Sequence, residues 1–163
     1  MRGVTMEKID WKNLSYDDFT GFVAVTAILL FVLYFGGLWY ATYDYRIQMR
    51  DQMVEMYKQL PNPIPPIEDD YGVHQRWLVF YIDGVKVLNK PQPENVINEY
   101  KKALEKEGWA TEREYEHVRN DKNKIYGINM RKGEFILSVS ARENRDSINI
   151  HLIKRDWIYN KGF

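Results

Sequence analysis

From residue 19 to residue 43 the chain carries no charged side chain, and between Phe22 and Ala41 the one clearly polar position is Thr26. A helix rises 1.5 Å per residue, so about 20 apolar residues cross the ~30 Å hydrocarbon core of a bilayer. The pattern therefore predicts a single transmembrane helix over residues 19–43, preceded by an N-terminal tail over 1–18. A helix on a soluble core keeps one polar face, and this segment has none. Aromatic residues stand at both ends of the span, Trp11, Tyr16 and Phe19 at its start and Trp39, Tyr40, Tyr43 and Tyr45 at its finish, where amphipathic rings settle among headgroups.

Beyond the span the period changes. Tyr45, Met49, Met53, Met56 and Leu60 recur at spacings of four and three with charged residues between them, which predicts a juxtamembrane helix over 44–60 with a short apolar seam. Two heptads are too few for a coiled coil, so the seam of Met49, Met53, Met56 and Leu60 is expected to pack on a neighbouring subunit or on the chain's own domain. Prolines 61, 63, 65 and 66 end that helix, because proline lacks the amide donor and disfavours helix in the residue before it. The stretch 61–72 reads as an extended linker, with Glu68, Asp69 and Asp70 as a solvated patch.

Residues 73–163 read as a soluble α+β domain. Residues 76–82 are rich in aromatic and β-branched types, Asp83-Gly84 suits a tight turn, and residues 85–88 would pair back as a short strand. Val96, Ile97, Tyr100, Ala103 and Leu104 then mark one helical face, with proline and Glu94 in the first turn and Gly108 at the C-terminal cap. Four strands follow, and Tyr126/Ile128/Met130, Phe135/Leu137/Val139 and Ile148/Ile150/Leu152 alternate with period two. Short turns between them imply an antiparallel meander covered on its apolar face by the one helix and Trp109, a two-layer βαβββ-like domain. The other face carries Asn129, Ser138, Ser140, Asn149 and His151, and is either wet or docked on a partner.

The segment from Val96 to Trp109, with Tyr100, Leu104, Gly108 and Trp109 as its fixed points, resembles a helix of small bacterial domains carried by lipoproteins and membrane-anchored envelope proteins. That resemblance covers roughly residues 73–157 and implies a βαβββ order and no general catalytic activity. It also implies an extracytoplasmic domain, which decides an orientation that charge leaves tied. Arg2, Lys8 and Lys12 before the span are matched by Arg46, Arg50 and Lys58 after it. A looser resemblance to type IV prepilins rests on Gly21-Phe22, but Thr26 stands where the glutamate of a mature pilin would fall, and Asp17 and Asp18 are acidic where leaders are basic.

Charge adds little, since 23 Lys and Arg balance 23 Asp and Glu, so no basic excess points to nucleic acid. The absence of cysteine removes disulfides, thiolate nucleophiles and cysteine-ligated metals. His74, His117 and His151 lack metal-site spacing, and no phosphate loop or nucleophile elbow appears. Glu112, Glu114 and Glu116 alternate beside Arg113 and would share one solvated face of a strand. The expectation is thus no catalytic, cofactor-binding or metal site. Gly36, Gly37 and Ala41 offer a small face on the span where another helix can approach closely. The chain is expected to be a single-pass protein of a bacterial inner membrane, an accessory or assembly subunit that partners integral membrane subunits and the lipid bilayer. An envelope binding module and a pilin-like component of a secretion or pilus system are the alternatives.

Overall fold

The computed structural model describes residues 16–76, 79–118 and 123–155. The expectations for Trp11 and the basic residues of the N-terminal tail, for most of the turn at 120–123 and for the aromatic tail at Trp157, Tyr159 and Phe163 lie outside the described residues. The chain forms two compact units, residues 1–44 and residues 45–163.

The first unit contains α1, Tyr16–Ala41. Its segment Phe19–Ala41 is long and apolar enough to cross a membrane, and none of it is buried. The helix runs unbroken through Gly21 and Phe22. At its end Thr42 turns both its amide and its hydroxyl back to the carbonyl of Leu38, which satisfies helix-end acceptors within the chain.

The second unit is α+β. Its elements are α2 (Tyr43–Lys58, entering the unit at Tyr45), β1 (Glu68–Arg76), β2 (Val79–Val87), α3 (Pro93–Lys106), β3 (Ala110–Val118), β4 (Lys124–Lys132), β5 (Phe135–Arg142) and β6 (Ser147–Lys154). The strands make one antiparallel sheet in the order β1-β2-β6-β5-β4-β3. The meander from β3 to β6 and the helix α3 are as the sequence pattern implies. Pro93 opens α3, Gly108 at φ +83° closes it, and the Trp109 amide returns to the Leu104 carbonyl.

Three expectations are corrected. The order is ββαββββ rather than βαβββ: β1 begins at Glu68 inside the stretch read as linker, and four strands rather than three follow α3. Asp83-Gly84 makes no turn: β2 runs through it, and Arg76 stands opposite Val79 at the far end of the pairing. Gly84 is needed for a different reason. A Cβ there would lie 2.1 Å from the Tyr57 hydroxyl, so the glycine leaves the space that α2 fills with a tyrosine.

The third correction concerns what covers the sheet. Six strands spaced ~4.8 Å apart span roughly 24 Å, about twice the width of one helix, so α3 alone is too narrow. It packs against β3, β4 and β5. On the other half Met49, Met53, Tyr57 and Leu60 join the same buried core as Phe80, Ile82, Ile128, Leu137, Val139, Ile150 and Leu152. The apolar seam of α2 is therefore consumed within its own domain, with Met56 partly buried at the margin. Both sheet edges are charged, β1 through Glu68, Asp69, Asp70 and Arg76 and β3 through Glu112, Arg113, Glu114 and Glu116.

Met53, fully buried, gives a direct test of the shared roof. Met53→Ala in the full-length protein should lower stability by about 2–5 kcal/mol in urea unfolding. A loss below about 0.5 kcal/mol, the size expected of a surface change, would show that α2 is not part of the core.

Candidate functional site

Two groups of polar residues stand out, one beneath the helices and one on the open face. Beneath the helices, the alternation of β2 places Lys86 among Phe80, Ile82 and Leu88, and its side chain is 2% exposed. An ammonium group there costs several kcal/mol unless paired. Its Nζ lies 3.0 Å from Oδ2 of Asp69, donates to the Asn62 amide oxygen and sits 5.4 Å from the centre of the Tyr57 ring. The Tyr57 hydroxyl donates to Oδ1 of the same Asp69, 3.0 Å away. Asp69 thus takes one partner on each oxygen, and the acidic patch read as solvated linker supplies the counter-charge of the core.

Burial first, and the Asp69 carboxylate next, hold the Tyr57 hydroxyl well above the ordinary tyrosine range. The same two causes act on Tyr100 of α3, whose hydroxyl is buried without a hydrogen-bond partner. The cluster is a fixed polar knot in which α2, the proline segment, β1 and β2 meet.

On the open face, strand register does what linear spacing could not reveal. Asp83 of β2 lies directly opposite His151 of β6, and Gly72 of β1 lies opposite Asp83. His151 Nδ1 is 2.6 Å from Asp83 Oδ1, and a carboxylate only accepts, so the imidazole holds its proton on Nδ1. His74 comes from the other side, with Nε2 3.7 Å from Asp83 Oδ2. Its ring lies over Gly72, where a Cβ would approach it to 2.9 Å. Tyr81 stacks on His74 at 5.1 Å and reaches His151 at 5.5 Å. Two of the three histidines are therefore neighbours across three strands. Among the described residues no three His, Asp or Glu side chains form a group suited to a metal ion.

At the opposite end of this face a trough of about 600 Å³ is lined by Arg113, Tyr115 and His117 of β3, Ile125 and Asn129 of β4, and Ser138 and Ser140 of β5, with Glu116 at its rim. A β-bulge creates it. Thr111 pairs with Met130 and Arg113 with Asn129, leaving Glu112 as the extra residue. The shift separates the three glutamates expected on one face. Glu114 now pairs with Lys101 of α3 on the covered side and Glu116 with Lys124, while Glu112 meets Arg131. Arg113, Tyr115 and His117 take the open face instead. The Tyr115 ring lies over Gly127, where a Cβ would come within 2.3 Å of it.

The small residues foreseen as a docking face on α1, Gly36, Gly37 and Ala41, are all exposed, and a Cβ at either glycine would meet open space.

No family model matches this sequence, and no curated protein sequence matches it significantly.

Two predictions concern the knot. Asp69→Ala should cost about 3–5 kcal/mol in urea unfolding by leaving the buried Lys86 ammonium without its counter-charge, whereas Lys86→Met with Asp69→Asn should cost clearly less. Tyr57 and Tyr100 are held protonated in the folded state above the ordinary value of 10.0. Below pH 10 both folded and unfolded chains keep these protons and stability is flat; above it the unfolded chain releases them first, so stability falls. Tyr100→Phe should flatten that fall, and should also raise stability by about 1 kcal/mol near neutral pH by removing an unpartnered hydroxyl. Unfolding curves of both proteins between pH 7 and pH 11 check it.

Proposed function

We propose that this chain is a non-catalytic accessory or assembly subunit of a larger bacterial membrane complex, respiratory, photosynthetic or oxidase-like in kind. Its span docks beside integral membrane subunits in the cytoplasmic membrane, and its domain covers an extracytoplasmic surface. The observation that carries this reading is the contrast between the two apolar surfaces of the chain. The seam on α2 is buried in the domain core, while none of the apolar span of α1 is buried, and Gly36, Gly37 and Ala41 stand exposed at one end. Lipid covers most of such a helix, and small residues let a second helix come close. The envelope-type resemblance of α3 and the following strands favours the outer side for the domain.

A second reading, a membrane-anchored binding module, is favoured by the open sheet face. There the histidine pair around Asp83 and the trough beside Arg113 leave polar groups turned to solvent in an array that core packing does not need.

Purification of the full-length protein from its native membrane in mild detergent should bring down integral membrane chains in fixed ratio, and Gly37→Leu should reduce them several-fold while the variant stays in the membrane fraction. Emergence of the protein alone, or unchanged recovery of the same chains with Gly37→Leu, would count against docking through this helix. Intact mass on the same sample separates a retained N-terminus from processing after Gly21.

A further inference from the structure

We propose that the trough on the open sheet face is a binding site for an acidic saccharide, with Arg113 as the residue that holds its anionic group. The inference deepens the binding-module reading and rests on it.

On β3 every carboxylate that could neutralise Arg113 is engaged elsewhere: Glu112 with Arg131, Glu114 with Lys101, Glu116 with Lys124. Arg113 itself is exposed and has no ion-pair or hydrogen-bond partner among the described residues. The bulge at Glu112 is what turns it toward the trough. In an unbulged strand the alternation would put Glu112, Glu114 and Glu116 on the open side and Arg113 beneath the helix. One inserted residue therefore replaces an acidic row by arginine, tyrosine and histidine, and bulges recur where a side chain must be re-aimed beside a site.

The floor supplies the rest of the chemistry. Asn129 and Ser138 stand opposite one another in the row of Arg113, and Gly127 and Ser140 in the row of Tyr115. The side chains of Asn129, Ser138 and Ser140 are likewise without partners among the described residues. Hydroxyl and amide groups both donate and accept, as sugar hydroxyls do. The Tyr115 ring, laid over Gly127, and Ile125 offer the flat apolar surface that the C–H face of a sugar ring covers. A guanidinium binds a carboxylate or phosphate through two parallel hydrogen bonds. A ligand that meets all three demands carries an anion, several hydroxyls and an apolar face. The ~600 Å³ trough accommodates a short stretch of such a chain.

The test uses the full-length protein in detergent micelles, titrated calorimetrically with tetragalacturonate, a neutral galactose tetrasaccharide and inorganic phosphate, and mixed separately with phosphatidylcholine/phosphatidylglycerol vesicles. Saturable binding of tetragalacturonate is expected. Affinity should fall about tenfold or more in Arg113→Gln, be partly restored in Arg113→Lys, and stay unchanged in Lys102→Gln, whose ammonium pairs with Glu99 on α3 away from the trough. Gly127→Val should also abolish binding by displacing Tyr115; near-ultraviolet circular dichroism establishes that this variant is folded. Equal binding by wild type and Arg113→Gln overturns the proposal. Phosphate binding as tightly as the uronate identifies a simple anion site and overturns the saccharide. Neutral tetrasaccharide bound as tightly as the uronate, and lost in Gly127→Val, overturns the acidic ligand while leaving the binding-module reading intact. Vesicle binding that Arg113→Gln weakens, with no response to either saccharide, identifies a lipid headgroup as the anion and overturns the saccharide.

Discussion

The roof of the sheet is organised around the buried ammonium group of Lys86. Lys86 occupies a position that the alternation of β2 would otherwise give to an aliphatic residue, and its partners come from three separate stretches of chain: Tyr57 on α2, Asn62 in the proline segment and Asp69 on β1. A buried ion pair adds little net stability compared with a well-packed apolar substitute. What it does supply is selectivity among arrangements. An α2 seated one turn off would leave both the ammonium and the Tyr57 ring misplaced, and Gly84 offers room for that ring at one point only. The placement of the second helix, and with it the closure of the core, follows from satisfying this charge.

Much of the architecture was legible from period and punctuation. The apolar run of α1, the amphipathic face of α3 with its proline start and glycine end, and the meander of β3 to β6 all follow local rules, and the sequence pattern locates each of them. The errors share a cause. Asp83-Gly84 has the chemistry of a turn, but the glycine serves a contact with Tyr57, twenty-seven residues earlier. Glu68-Asp-Asp looks like solvated linker, but one of its carboxylates answers a lysine on another strand. In each case a distant partner overrode a valid local preference.

The open face was only half readable for the same reason. Its small polar residues on β4, β5 and β6 could be assigned by alternation. The pairing of Asp83 with His151 needed the register of β2 against β6, and the proximity of His74 needed a strand that the composition hid. The bulge at Glu112 is harder still, since the run from Thr111 to His117 alternates without interruption in sequence and breaks only against its partner strand. Registers and bulges are properties of pairs of strands, and a single strand does not record them.

The charged margins of the sheet also limit how the domain can associate. An edge strand grows by offering its free amides and carbonyls to another strand, and carboxylates and guanidinium groups along β1 and β3 make that approach unfavourable. Brought to high local concentration, copies of this domain would resist fusing edge to edge into a continuous ribbon. Crowding then leaves them discrete, each with its broad face available for exchange.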